Sequence, residues 1–215
     1  MIGITIAIVL NLFYDYEGQR QDLIRYMRET ENQLQILLCE LAAYLHNKDM
    51  EINVWDRIIA FEGRMHEFIK AAYDYQDNTF YSHPGYYIDY FEMRLAQLQV
   101  LHNLHYEIKK IRKMPKQALV IADYIMYMAD YVVEMNIPDQ QIEKLEEISE
   151  QMKQEELPKT REEFEGRALL YHILMDLEEF LVYKKRFVNG LDEKKLRIYW
   201  KQEMEQKDSA NELQK

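Results

Sequence analysis

Lys116-Gln-Ala-Leu-Val-Ile-Ala-Asp-Tyr-Ile-Met-Tyr-Met-Ala-Asp-Tyr-Val-Val-Glu-Met135 decides the fold class of this chain. At 100° per residue its charged positions, Lys116, Asp123, Asp130 and Glu134, share one narrow stripe, and most of the remaining circumference is apolar. A helix of that kind needs cover on several sides, which the middle of a bundle or a subunit contact provides. The stretch after Thr160 has the same character. It places Phe164, Tyr171, Leu174, Met175 and Val182 on one side and Leu169, Ile173 and Phe180 on the other. A bundle of about six helices surrounds one such element easily and two only with difficulty. The pattern therefore predicts that Leu169, Ile173 and Phe180, or the Tyr124 to Tyr131 region, seal against a second copy in a two-fold homo-oligomer.

Outward from these stretches, Pro84, Pro115, Pro138 and Pro158 fall where helical periodicity breaks, and each would cost about 3 kcal/mol inside a helix. The segments between them are filled with strong helix formers, and 6 glycines are too few to punctuate a sheet protein. The first helix runs to about His46, with Leu23, Met27, Leu34, Leu37, Leu38, Leu41 and Leu45 on one side. Asn53 and Asp56 have cap spacing for a second, which carries Trp55, Ile58, Phe61, Met65, Phe68, Ile69 and Ala72. A turn at Ser82 to Gly85 leads into a third, Tyr86 to Arg112, and the fourth is Lys116 to Met135. The polar, acidic stretch Asp139 to Glu156 belongs at the periphery. Thr160 and Glu163 have capping-box spacing, Asn189-Gly190 reads as an αL-type stop, and Asp192 can cap a short helix through Trp200. The expected architecture is all-α: an elongated antiparallel bundle of about six helices over residues 15–200, followed by a disordered tail, 201–215, that has almost no apolar residue.

The chain begins with an apolar run, Ile2, Ile4, Ile6, Ala7, Ile8, Val9, Leu10, Leu12 and Phe13. A spanning helix needs about 20 apolar residues, so residues 1–14 read as the C-terminal end of a transmembrane helix. Arg20, Arg25 and Arg28 follow, the Lys/Arg excess of a cytoplasmic flank, which puts the helical domain on the cytoplasmic side of the cell membrane, with membrane contact through residues 1–14. A signal peptide competes with this reading but would need a basic region ahead of the run and a small-residue cleavage site after it. A third possibility is an apolar N-terminal element tucked into a soluble core.

The net charge of −11 argues against a general affinity for nucleic acid, and the single Cys39 excludes an intrachain disulfide framework. His102 and His105 share the apolar arc of the third helix, where i, i+3 spacing permits joint metal ligation; the partners on the last long helix are Glu178, between Leu174 and Val182 on its apolar arc, and His172 with Asp176. The Glu-x-x-His repeats of di-iron bundles and the His-x-x-x-His spacing of zinc hydrolases are absent. Core histidines bonded to tyrosine or carboxylate account for the same residues, and that reading, without metal or other cofactor, is adopted. Tyr81, Tyr86, Tyr87 and Tyr90 flank the turn at Pro84; they form either an aromatic pocket for a ring-bearing ligand or the packing of two helix ends. Nucleophile motifs, glycine-rich phosphate loops and paired acid–base spacings are missing from the sequence, which argues against an enzyme.

Tyr81-Ser-His-Pro-Gly-Tyr-Tyr-Ile-Asp-Tyr-Phe-Glu-Met-Arg-Leu95, Leu101-His-Asn-Leu-His-Tyr-Glu-Ile-Lys-Lys-Ile-Arg112, Met114-Pro-Lys-Gln117 and the stretch Leu157 to Phe180 resemble the C-terminal region of Gram-positive aromatic acid exporter proteins. The resemblance covers about Tyr16 to Trp200. Those proteins are similar in turn to fusaric acid resistance-like exporters, in which a membrane half of several helices precedes a helical cytoplasmic domain. The resemblance implies that residues 1–14 end the final membrane helix, that the partner is the transmembrane part of the same exporter, and that the earlier membrane helices are missing here. A regulatory or assembly domain, not transport-competent alone, is the expected function. The alternatives are a helical-bundle metal-binding protein or enzyme, and a soluble helical interaction protein.

Overall fold

The computed structural model describes residues 2–47, 53–78 and 85–200, the side chains of residues 2–16 excepted. Seven helices and no strand occur among the described residues: α1 (Ile2–His46), α2 (Val54–Asn78), α3 (Gly85–Lys110), α4 (Ala118–Ala129), α5 (Asp139–Lys153), α6 (Arg161–Asn189) and α7 (Glu193–Tyr199). The expected all-α bundle is the observed one. The segments expected for the tail and the Pro84 turn, 201–215 and 82–84, lie outside the described residues.

In α1, Leu23, Met27, Leu34, Leu38, Leu41 and Leu45 recur at steps of three, four or seven and are all buried, so one continuous stripe faces the core. α2 returns antiparallel along it, with Tyr26 stacked on Phe68 and Arg57 paired with Glu40. α3 then runs parallel to α1 and antiparallel to α2: Tyr75 meets Tyr87 at one end and Trp55 meets His102 at the other. α4 lies antiparallel on α1, from His46–Asp123 to Arg28–Glu134. α6 packs extensively on α3, and α5 lies on α6, with Asp139 paired to Lys185. α5 buries only Gln141, Leu145, Ile148 and Met152, in keeping with a peripheral place.

Cap chemistry sets several helix starts. The Asn53 side chain accepts from the Asp56 amide at 3.3 Å, Thr160 from Glu163 at 3.1 Å and Asp192 from Lys195 at 2.7 Å. The C-terminus of α6 differs from expectation. Gly190 has φ −80°, and its amide bonds to the carbonyls of Arg186 and Phe187, so the helix closes through a right-handed turn rather than an αL residue. Gly166 has a steric role: a Cβ there would sit 2.9 Å from Pro115 Cγ and 3.3 Å from the Lys113 carbonyl, so only glycine lets α6 pass this close to the α3–α4 connection.

The fourth helix is shorter than its apolar run. After Ala129 the chain leaves α-helical geometry through turns, and Glu134 is thereby carried to Arg28. Nor is α4 covered all round: Leu119, Val120, Met126, Tyr131 and Val133 are exposed, with Asp123 and Asp130 among them. α6, by contrast, buries Ile173 and Phe180 of its second apolar side against the bundle.

Candidate functional site

A chain of buried polar groups runs through the half of the bundle nearest the start of α1. It begins at the surface with Arg28, whose guanidinium bonds Glu31 on α1 at 2.9 Å and Glu134 at 3.2 Å. Glu134 also accepts from the Tyr86 hydroxyl at 2.5 Å, and Tyr86 in turn accepts from the Trp200 indole at 3.1 Å. Glu31 accepts from Tyr90 at 3.2 Å and lies 3.8 Å from Arg94. Arg94 bonds Gln97 at 2.9 Å, and Gln97 donates to the Phe180 carbonyl on α6 at 2.8 Å. Lys184, one helical turn further on, gives its ammonium to the Glu134 main-chain carbonyl. Arg94 and Lys184 are 1% and 3% exposed, which makes these two cations part of the core.

Aromatic rings wall the network. Tyr86 stacks on Tyr199 at 3.8 Å, Tyr90 and Phe187 meet at 5.9 Å, and Arg94 sits 5.1 Å over the Tyr90 ring. Lys184 lies over Phe187 and Trp200, at 5.3 and 5.6 Å. Burial dominates the acid–base behaviour here. It pushes Tyr86 and Tyr90 far above the usual phenol range and raises the Glu134 carboxyl, where Tyr86 and Arg28 oppose the rise. It also holds Lys184 well below the usual ammonium range, with the Arg94 charge acting in the same direction. The arrangement can hold and redistribute charge between α1, α3, the α4–α5 connection and α6.

The tyrosines singled out from the sequence divide. Tyr86, Tyr87 and Tyr90 are buried, and the hydroxyls of Tyr86 and Tyr90 bind Glu134 and Glu31; Tyr81 lies outside the described residues. The metal candidates are not brought together. His102 and His105 lie against Trp55 of α2, at 4.6 and 6.2 Å, and burial, then Lys109 and His102, lowers His105. His172 and Glu178 are exposed on α6, while Asp176 is half-buried and feels the charge of Glu107. Among the described residues no three His, Cys, Asp or Glu side chains form a group able to hold a metal ion.

Two expectations need correction. Glu178, placed in the sequence between Leu174 and Val182 on an apolar arc, is solvent-exposed because α6 buries the stripe Leu170, Ile173, Leu174, Leu177, Leu181 and Lys184, and Glu178 lies beyond its edge. Ile173 and Phe180, expected at a subunit contact, are inside the bundle, where α6 packs on α3; Leu169 is half-buried. Glu31, Arg94 and Lys184 are not among the residues the sequence singles out, although each occupies a core register: Glu31 between Met27 and Leu34, Arg94 between Tyr90 and Leu98, Lys184 between Phe180 and Phe187. The available signal is a charge at a position where helical spacing demands an apolar residue.

The molecule is thus an all-helical bundle domain built around a buried ion network. The family model described as "putative aromatic acid exporter C-terminal domain" matches residues 20–185, and the chain belongs to that family. It is 26% identical over 188 residues to the uncharacterized protein YqjA of Bacillus subtilis (strain 168), a match that takes in 86% of this chain and 57% of that protein, so the chain spans little more than half of that relative's length. The crystal structure of a "putative membrane protein from Clostridium difficile 630" shares the fold, with a TM-score of 0.70 at 23% identity over 78% of this chain and 97% of the other. The family is one of exporters rather than enzymes, and membrane association follows at that level. Among the described residues no helix is long and apolar enough to cross a membrane.

Proposed function

We propose that this chain is the cytoplasmic regulatory or assembly domain of an aromatic acid exporter-like membrane protein, with no catalytic or transport activity of its own and the transmembrane part of the exporter as its partner. One observation carries the reading. α1 is a single 45-residue helix, about 67 Å long, that joins the apolar run at the N-terminus to Arg28 and Glu31 in the buried network. A displacement of the apolar run therefore acts on the core through a stiff element rather than a linker. Residues 1–14 serve as the membrane end of this lever and residues 15–200 as the domain it moves.

Assembly is the second half of the proposal. With Ile173 and Phe180 inside, an apolar surface that a second copy can cover is the outward side of α4 and its continuation: Leu119, Val120, Met126, Tyr131 and Val133. Of these, Met126 and Tyr131 fall in the Tyr124 to Tyr131 region singled out in the sequence for a two-fold contact, whereas Tyr124 itself is buried. Vesicle flotation of the full chain against an Ile6→Asp, Val9→Asp, Leu12→Asp variant tests the membrane end. The full chain should float with the vesicles, and the variant should not, with helix content and melting temperature unchanged. An unbound full chain, or a variant whose melting temperature falls by many degrees, would mean that the run packs within the bundle. For assembly, Met126→Glu should weaken a concentration-dependent dimer in sedimentation; a wild-type chain that is strictly monomeric at high micromolar concentration would remove that role.

A further inference from the structure

α6 has two apolar sides, and the bundle covers one of them far better than the other. Ile173, Leu177 and Phe180 are buried where α6 packs on α3. On the other side Phe164, Tyr171 and Met175 recur at steps of seven and four and face α5, which is too polar to cover them. Phe164 and Met175 are left 61% and 64% exposed, and Leu157, in the α5–α6 connection, 86%. Between the two helices lie cavities of about 240 and 280 Å³ that share Lys153 and Tyr171 as walls, so they form one open groove. Leu145, Met152, Tyr171 and Leu174 line it. Along α6 the groove runs from Phe164 to Glu178, about 21 Å or four helical turns. Its banks are acidic: Glu146, Glu150, Glu155, Glu156 and Glu178 stand against Lys153 and Arg167. Both cations are already paired, Lys153 with Glu150 at 2.5 Å and Arg167 with Glu163 at 2.6 Å. Glu146 and Glu178 are exposed on the two banks, one on α5 and one on α6.

We infer that this groove is the docking site for a basic amphipathic helix of another polypeptide. Apolar side chains of the guest, spaced i, i+3 or i+4, and i+7, enter between α5 and α6, and Lys or Arg on its flanks reach Glu146 and Glu178. An apolar groove between acidic banks selects that pattern by charge as well as by shape. A second copy of this chain fits it poorly. The exposed apolar face of α4, which a second copy offers, carries Asp123 and Asp130 and would set carboxylate against carboxylate. An anionic lipid surface meets the same repulsion. Nor does the chain supply the guest from residues 201–215, where Met204 and Leu213 are the large apolar residues and form no stripe. The site stands on the shape and charge of the α5–α6 face and does not depend on the membrane reading.

The experiment titrates the full chain into a fluorescein-labelled, amidated Leu/Lys peptide of about five helical turns, at physiological ionic strength, and follows anisotropy. One peptide carries its leucines at i, i+3, i+4 and i+7; a second has the same composition in an order that removes the stripe. The striped peptide should bind saturably at one per chain, at least about tenfold more tightly than the permuted one. Glu146→Lys with Glu178→Lys should weaken it at least about tenfold, whereas the same charge change on α2, Glu67→Lys with Asp74→Lys, should weaken it less than about threefold. Phe164→Ala with Met175→Ala removes the apolar contacts without altering charge and should also cost about tenfold in affinity, with the melting temperature unchanged. Equal binding of the two peptides, or an equal loss from the charge changes on α2 and at the groove, would reduce the effect to the general field of an acidic protein and overturn the site. So would an affinity unchanged in the Phe164→Ala, Met175→Ala variant. A dimer of the chain that this variant abolishes in sedimentation would place a second copy in the groove instead.

Discussion

The two halves of the bundle are built from different interactions. Toward the C-terminus of α1 the core is almost purely aliphatic: Leu37, Leu38, Leu41 and Leu45 pack with Val54, Ile58, Leu104, Ile108, Ile121 and Ile125, none more than 1% exposed. Toward its N-terminal half the same helices bury Glu31, Arg94, Gln97, Glu134 and Lys184. Apolar packing is non-directional and tolerates small slips. A network of hydrogen-bonded charges does not, because a shift of one residue leaves a buried ion unmet at a cost of several kcal/mol. The contrast assigns stability to the aliphatic half and the register of α1 against α3 and α6 to the polar one, which is also the half that continues into the N-terminal apolar run.

The largest expected effect tests that division directly. Glu31→Ala leaves Arg94 and Arg28 without their shared carboxylate and should cost about 3–5 kcal/mol in urea unfolding. Leu41→Ala in the aliphatic half should cost a similar 2–5 kcal/mol through the cavity it leaves. The two should differ in kind: Leu41→Ala lowers stability alone, while Glu31→Ala also changes the chemical shifts of α3 and α6 across the network. A Glu31→Ala variant that loses less than about 1 kcal/mol would break the comparison, since it would show the buried cations to be paired elsewhere.

A smaller effect comes from Asp176, on α6 beside Glu107 of α3. Burial, with Glu107 and Glu179 nearby, pushes its carboxyl up to about 6. The folded state then retains a proton that the unfolded chain releases near the ordinary value of 3.8, so this group favours folding at low pH and the advantage is lost as pH rises through about 6. Asp176→Asn should therefore raise stability at pH 7, by about 1 kcal/mol once solvent screening of this half-exposed group is allowed for, and change it little near pH 4. Urea midpoints at the two pH values measure this, and a variant destabilised equally at both would assign Asp176 a hydrogen-bonding role instead.

The smallest is Glu178→Ala. The residue is exposed, so its removal should change stability by less than about 0.5 kcal/mol. A loss of more than 1 kcal/mol in the same urea assay would mean that the α6 surface is covered in solution.

Much of the fold is legible in the amino-acid order. The helix starts at Asn53, Thr160 and Asp192, the peripheral place of α5 and the core stripe of α1 all follow from local spacing, and each is observed. The site is far less legible. Glu178 and Ile173 both lie on apolar arcs of α6, and only the position of α3 against that helix puts Ile173 inside and leaves Glu178 in solvent. The nearly all-round apolar character of residues 118–133 is a property of the sequence, but the chain turns after Ala129 and leaves part of that surface uncovered.

By itself, then, the sequence determined that this chain folds as a helical bundle, where most of its helices begin, and which family it resembles, because caps, breakers and periodicity act over one or two turns. The ion network was decided only by tertiary structure. Arg28 meets Glu134 across 106 residues, Tyr86 meets Glu134 across 48, and Gln97 meets the Phe180 carbonyl across 83. Contacts at such separations are set by how whole helices pack. A charged residue at a core position announces that it needs a partner, but only the packed bundle chooses which one.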